Sequence, residues 1–88
     1  MTAHAKQPSE DALRRMFAAT IYKVRKESKL SQEGLAERTG LSTTYVSLLE
    51  RGQRNLTVLT AARIAAACNL KLSEFVVLTE FKNGKASG

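Results

Sequence analysis

The chain has 88 residues, with 14 Lys and Arg against 8 Asp and Glu and a formal net charge of +6. This length predicts one small domain with a modest core, and the ordinary apolar content excludes wholesale disorder. No apolar run approaches the roughly 20 residues that span a bilayer, and the polar N-terminus lacks the hydrophobic segment of a signal peptide. The excess of cations indicates a polyanionic partner, most simply nucleic acid, although a basic surface that only maintains solubility is the alternative.

Patterns typical of enzymes are missing from the sequence. The single cysteine, Cys68, has no second thiol for an internal disulfide, which favours a reducing cytoplasm. The single histidine, His4, stands apart near the N-terminus. There is no paired carboxylate in an apolar stretch, no glycine-rich phosphate loop and no set of metal ligands. We therefore predict a cytoplasmic protein that is not an enzyme and needs no cofactor or metal.

Cap signals and hydrophobic periodicity predict an all-α fold with five helices. We expect them at about residues 10–27, 32–39, 43–51, 58–68 and 74–78, capped by Ser9, Ser31, Ser42, Thr57 and Ser73. The fourth helix has an inner apolar stripe, which comprises Val58, Ala61, Ile64, Ala65 and Cys68. Residues 1–8 are expected to be a disordered arm, residues 9–81 the domain, and residues 82–88 a flexible tail.

The segment between Gly40 and Gly52 contains the residues most typical of a binding surface. Both glycines suit a left-handed helix end, so two short helices meet in a tight turn, which predicts a helix-turn-helix. Val46 and Leu49 lie three positions apart and can face inward. The other side carries short hydroxyl groups, which can hydrogen-bond base edges in a major groove. These base-reading candidates are Thr43, Thr44 and Ser47.

Two neighbouring side chains have two possible roles each. Leu48 also faces outward and either contacts a thymine methyl group or packs against a neighbouring loop. Tyr45 either supports the helix or extends its hydroxyl to a phosphate. Gln32, in the first turn of the preceding helix, is placed to hydrogen-bond a phosphate beside the free N–H groups of that turn.

The turn after the third helix is rich in groups that bind phosphate. Arg51, Arg54 and Asn55 follow one another closely there, and guanidinium groups are well suited to backbone phosphates. A solvated basic loop is the alternative interpretation. Ser42 is counted with these candidates for DNA-backbone contact, in addition to its role as a cap.

One charged pair is predicted to be structural rather than functional. Arg25 ends the inner face of the first helix and Glu50 ends the third helix, where apolar neighbours would desolvate both. We expect them to pair across the core, because an unpaired buried charge is costly.

The last predicted helix has more apolar side chains than one domain can enclose. A single helical face hides about half of them, and an exposed apolar patch is unusual on a small monomer. We therefore predict a twofold homodimer through this segment, with the two reading helices about 34–36 Å apart. The predicted interface comprises Phe75, Val76, Val77, Leu78 and Phe81.

From Phe17 to Phe75 the chain resembles the phage-repressor/Cro-like helix-turn-helix family, also called the xenobiotic-response-element family. The segments that carry the resemblance are 21–25, 30–36, 40–42 and 45–52, extended by 54–57. The resemblance implies a compact five-helix DNA-binding domain of a transcription regulator. It places the family's structural ion pair on Arg25 and Glu50 and its phosphate-contacting glutamine on Gln32. The family's base-reading positions are Thr43, Thr44 and Leu48.

Within this family, residues 44–47 and 51–57 resemble the controller proteins of restriction–modification systems. Those proteins are small dimeric regulators, often of their own promoter. The resemblance implies that Thr44 reads bases and that Tyr45, Arg54 and Asn55 touch the DNA. It departs at Thr43, where some controllers carry an arginine that reads guanine, so the operator sequence does not transfer.

The second helix also carries a candidate surface for transcription activation. Glu33 and Glu37 lie one turn apart, at positions similar to an acidic patch of the phage lambda repressor that contacts the RNA polymerase sigma subunit. An ordinary solvated face is the alternative. A rival function for the whole chain is an antitoxin or adaptor module that uses this fold for protein interaction without reading DNA.

Overall fold

Five α-helices account for most of the chain. The computed structural model describes residues 7–84, with side chains for residues 7–81, and within that range it contains no strand. The helices are α1 (Glu10–Glu27), α2 (Gln32–Thr39), α3 (Thr43–Glu50), α4 (Val58–Ala67) and α5 (Leu72–Gly84). The predicted all-α class and the number of helices are therefore confirmed.

Hydroxyl side chains begin the first four helices, as the sequence predicts. In each case the Oγ atom accepts a hydrogen bond from the backbone N–H three residues later, at 2.9–3.1 Å. Each bond satisfies one of the N–H groups that have no partner within the first turn. The four caps are Ser9, Ser31, Ser42 and Thr57.

The start and the length of the last helix differ from the prediction. Ser73 does not cap α5; instead, the backbone N–H of Lys71 donates to the Glu74 carboxylate at 2.8 Å, and the helix begins at Leu72. This is the return half of a capping box, with the acidic residue three positions after the cap. The helix then continues past Leu78 to Gly84, into the segment that we expected to be a flexible tail. Residues 1–6 of the expected arm, His4 among them, and residues 85–88 lie outside the described part of the chain.

The core forms where α1 packs against α3 and α5, α2 against α3 and α4, and α4 against α5. A buried hydrogen bond of 2.8 Å from Thr79 to Thr20 joins the last helix to the first. The largest apolar side chains that are fully enclosed are Phe75, Ile21, Leu35, Ile64 and Val46.

Two predictions about α4 have different outcomes. Cys68 is buried, as expected of a small apolar side chain in the core. Val58 is exposed, so its predicted place on the inner stripe is wrong. It is the first residue of α4, and in that turn Thr60 is buried instead. None of the helices within residues 7–84 combines the length and apolarity needed to cross a membrane.

Candidate nucleic-acid interface

The turn between α2 and α3 has the geometry predicted from Gly40. This glycine is left-handed, with φ of 77°, and its N–H and that of Leu41 both donate to the carbonyl of Ala36. Leu41 packs partly against the core, and Ala36, itself buried, leaves room for the next helix. The result is two short helices joined by a tight turn and packed against each other, as in a helix-turn-helix.

The core holds α3 by one face only. Val46 is 0% and Leu49 2% exposed, whereas Thr43 and Thr44 are exposed on the other side. Ser47 is partly exposed. The threonine hydroxyl and methyl groups are therefore available to a partner that approaches α3 from solvent.

The two residues with open roles are both partly exposed. Leu48 lies at the margin of the exposed face of α3. Tyr45 packs against the core, and its hydroxyl donates to the backbone carbonyl of Asn55 at 3.4 Å. Tyr45 therefore supports the helix and connects it to the following loop.

The predicted ion pair between Arg25 and Glu50 is present. Arg25 Nε donates to Glu50 Oε2 at 2.6 Å and Nη2 donates to Oε1 at 3.0 Å, and the two side chains are 9% and 5% exposed. The hydrogen bond with Glu50 raises the pKa of Arg25 against the opposing effect of burial, so the guanidinium stays charged. A third N–H donates to the carbonyl of Leu30 at 2.9 Å. The pair thus fixes the end of α3 to α1 and to the start of α2.

Gln32 extends this network. Its amide Nε2 donates to Glu50 Oε1 at 3.0 Å, a contact that the sequence does not predict. An amide nitrogen carries two N–H groups, so this bond leaves one donor for an outside acceptor and sets its direction. Gln32 is partly exposed in the first turn of α2.

The loop from Arg51 to Thr57 comes directly after α3 in the chain and connects it to α4. Gly52 is left-handed, with φ of 71°, as predicted. Arg51, Arg54 and Asn55 are exposed, and no residue of the loop adds a negative charge. Ser42, exposed at the other end of α3, has its Oγ engaged as the cap. Two exposed guanidinium groups therefore lie in the loop that begins at the C-terminal end of α3.

Arg14 on α1 also belongs to this surface, although no pattern in the sequence indicates it. Its Nη1 donates to Asn55 Oδ1 at 2.7 Å, although 41 positions separate the two residues. The sequence shows Arg14 only as one of several basic residues in the predicted first helix. No local pattern signals a side-chain contact over that separation, so only the packing of α1 beside the loop reveals it.

The remaining candidate surfaces lie elsewhere on the fold. Glu33 and Glu37 are both exposed on α2. On α5, Val77 is 54% and Phe81 66% exposed, whereas Val76 and Leu78 are partly exposed. Phe75 is 0% exposed and packs in the core beside Phe17, so its assignment to a dimer interface is wrong. No group of three potential metal ligands occurs within the described residues.

The helix-turn-helix family HTH_3 matches this chain over residues 21–75, from the middle of α1 into α5. This range includes both helices of the turn, the loop after α3 and the ion pair. The chain belongs to this family. HTH_3 membership confirms the resemblance to helix-turn-helix regulators that the sequence predicts.

Several proteins similar to this chain bear the names of regulators. The HTH-type transcriptional regulator y4dJ of Sinorhizobium fredii is 37% identical over 68 residues, which are 77% of this chain and 88% of that protein. Control protein C.SmaI of Serratia marcescens is 34% identical over 71 residues, 81% of this chain and 84% of the relative. The crystal structure of the restriction-modification controller protein C.AhdI from Aeromonas hydrophila superposes with a TM-score of 0.69. It is 34% identical to this chain, covering 73% of this chain and 97% of C.AhdI.

Proposed function

We propose that this protein is a transcription regulator that binds a specific double-stranded DNA operator through α3. The observation that carries the proposal is the position of Thr43 and Thr44: they are exposed on a helix whose opposite face, Val46 and Leu49, is buried. A short helix held this way fits a major groove, where hydroxyl and methyl groups meet base edges. Ser47 and Leu48 extend the same face of α3.

The charges around α3 favour DNA over other partners. Arg51 and Arg54 are exposed in the loop that follows the helix, and the whole chain carries a net charge of +6. Phosphate contacts from such groups position the protein and release counterions, so affinity should fall steeply with salt. Gln32 supplies an additional donor at the start of α2, and Asn55 and Ser42 complete the proposed backbone contacts. The Tyr45 hydroxyl would join them only by exchanging its bond to the Asn55 carbonyl for one to phosphate.

Selection of bound sites from random duplex tests this function directly. We expect one preferred sequence to emerge from the wild-type protein, and Thr44→Ala to change the bases preferred within it. Ser73→Ala is the matched control, because it removes an exposed hydroxyl on α5 that is not a helix cap. If no preferred sequence emerged from the random duplex, the result would contradict the proposal and favour an adaptor that uses the fold for protein interaction. If Thr44→Ala selected the wild-type sequence, the protein would still read DNA, but Thr44 would not be a base-reading residue.

We propose that the protein acts as a homodimer through α5. Val77 and Phe81 are both more than half exposed and lie one turn apart on this helix, so together they form an apolar patch that a second copy could cover. Val76 and Leu78 border them, whereas Phe75 belongs to the core. A twofold axis at α5 would place two α3 helices on half-sites about one DNA turn, or about 34–36 Å, apart.

Sedimentation tests the position of this interface. Val77→Asp should give a monomer that binds the operator more weakly, because a buried unpaired carboxylate opposes association. Glu80→Ala, which changes an exposed charged residue on the same helix, should remain as dimeric as the wild type. A Val77→Asp dimer of unchanged strength would place the interface elsewhere.

We infer a role as the controller protein of a restriction–modification system. C.SmaI and C.AhdI bear that name and cover most of this chain at 34% identity. The operator should then lie upstream of the protein's own gene, which footprinting on that DNA would show. Protection only at unrelated promoters would leave the DNA-binding function intact and remove the controller assignment.

We propose that Glu33 and Glu37 contact the RNA polymerase sigma subunit when the operator is occupied. Both carboxylates are exposed on α2. Glu33→Lys should preserve operator binding and reduce activation in transcription with purified polymerase. Glu80→Lys makes the same charge change on α5 and should preserve both. Full activation by Glu33→Lys would reject this contact.

A further inference from the structure

The loop after α3 is fixed to α1 through one guanidinium group. Arg14 donates from Nη1 to Asn55 Oδ1 at 2.7 Å and from Nη2 to Asp11 Oδ1 at 2.8 Å. The Arg14 side chain is 26% exposed, so it lies largely between the helix and the loop. A planar guanidinium can make both bonds without rearrangement, since its donors have a fixed geometry.

The bond to Arg14 determines which way the Asn55 amide faces. A guanidinium has only donors, so the atom of Asn55 that meets it must be the acceptor Oδ1. The amide nitrogen, with its two N–H donors, then lies on the other branch of the side chain. A phosphate has only acceptor oxygens, so this orientation of Asn55 is the one that can bind DNA backbone.

Other contacts hold the same loop against the fold. A Cβ atom at Gly52 would lie 3.7 Å from Arg15 Cα, which shows that the loop runs close to the backbone of α1. The Tyr45 hydroxyl reaches the carbonyl of Asn55, and Leu56 packs against the core. Asn55 is thus held by its side chain and its backbone, and the exposed Arg54 is its direct neighbour.

We propose that Arg14 is a positioning residue for DNA binding, which orients the Asn55 amide toward phosphate without touching the DNA itself. This inference rests on the proposed DNA-binding function. A group that is already oriented in the free protein loses less conformational freedom on binding, so the contact contributes more to affinity. Asp11 in turn holds Arg14 in place and partly offsets its charge.

A double-mutant cycle on the full chain tests this role by operator affinity. Arg15→Ala is the matched control, because Arg15 adjoins Arg14, carries the same charge and is 69% exposed. We expect Arg14→Ala to weaken operator binding about three- to tenfold more than Arg15→Ala does, which is the range of one typical hydrogen bond. In an Asn55→Ala background the two substitutions should have equal effects. Equal effects in the wild-type background, or an extra loss that persists without Asn55, would overturn the proposal.

A second measurement needs no DNA. The side-chain amide resonances of Asn55 should shift in Arg14→Ala and stay unchanged in Arg15→Ala, when both variants are measured well below their melting temperatures. Unchanged resonances in Arg14→Ala would refute the contact. If the wild-type protein bound no duplex, the proposed DNA-binding function would fail. If the protein bound its operator but the double-mutant cycle showed no coupling between Arg14 and Asn55, only the role of Arg14 would be refuted.

Discussion

Replacing Glu50 with alanine would leave Arg25 buried without its carboxylate. The substitution removes bonds of 2.6 and 3.0 Å, and Arg25 would keep only its bond to the carbonyl of Leu30. Gln32 would lose its acceptor as well. Breaking one side of a buried pair costs about 3–5 kcal/mol, because the remaining charge stays desolvated.

This cost is large relative to the stability of so small a domain. At about 0.05–0.15 kcal/mol per residue, a chain of this length has roughly 4–13 kcal/mol of unfolding free energy. Each kcal/mol shifts the melting temperature of such a domain by about 4–8 °C, so Glu50→Ala should lower it by at least about 12 °C. Urea and thermal unfolding followed by far-UV circular dichroism would measure both quantities.

The chain contains a matched control for this experiment. Lys23 and Glu27 form an ion pair with the same 2.6 Å separation, but their side chains are 37% and 61% exposed. Glu27→Ala should therefore cost no more than about 0.5 kcal/mol, because water screens exposed pairs and replaces their partners. If Glu50→Ala cost as little as Glu27→Ala, burial would not be what makes the Arg25–Glu50 pair essential, and the reasoning would be refuted.

Three further predictions follow from the structure. The hydrogen bond and charge of Arg14 hold the pKa of Asp11 below its ordinary 3.8. The contribution of this pair to folding stability is therefore present above pH 3.8 and is lost as the pH falls through the lowered pKa. An NMR titration of Arg14→Ala should show the Asp11 pKa raised toward 3.8. Gly40→Ala should cost about 1–2 kcal/mol in urea unfolding from its left-handed φ alone, since a Cβ there meets nothing within 4 Å. Phe75→Ala should lower the stability of the dissociated monomer by about 3–5 kcal/mol, whereas Phe81→Ala should leave the monomer stable and weaken only its dimer, as melting curves at several protein concentrations would show.

Local signals determined much of this protein from the sequence alone. The caps Ser9, Ser31, Ser42 and Thr57 bond to the backbone three residues later, and the left-handed Gly40 and Gly52 end their helices, so these features need only neighbouring residues. The inward and outward faces of α3 follow from the helical period in the same way.

Tertiary structure decided which distant side chains meet. Arg14 donates a hydrogen bond to Asn55, 41 positions away in the chain, and Gln32 at the start of α2 donates to Glu50 at the end of α3. Phe75 lies in the core and Phe81 outside it because the packing of α5 against α1 and α4 selects one face of an almost uniformly apolar segment. Such choices depend on the relative positions of whole helices. A local pattern can therefore indicate that a side chain is buried or polar, but not which partner it finds.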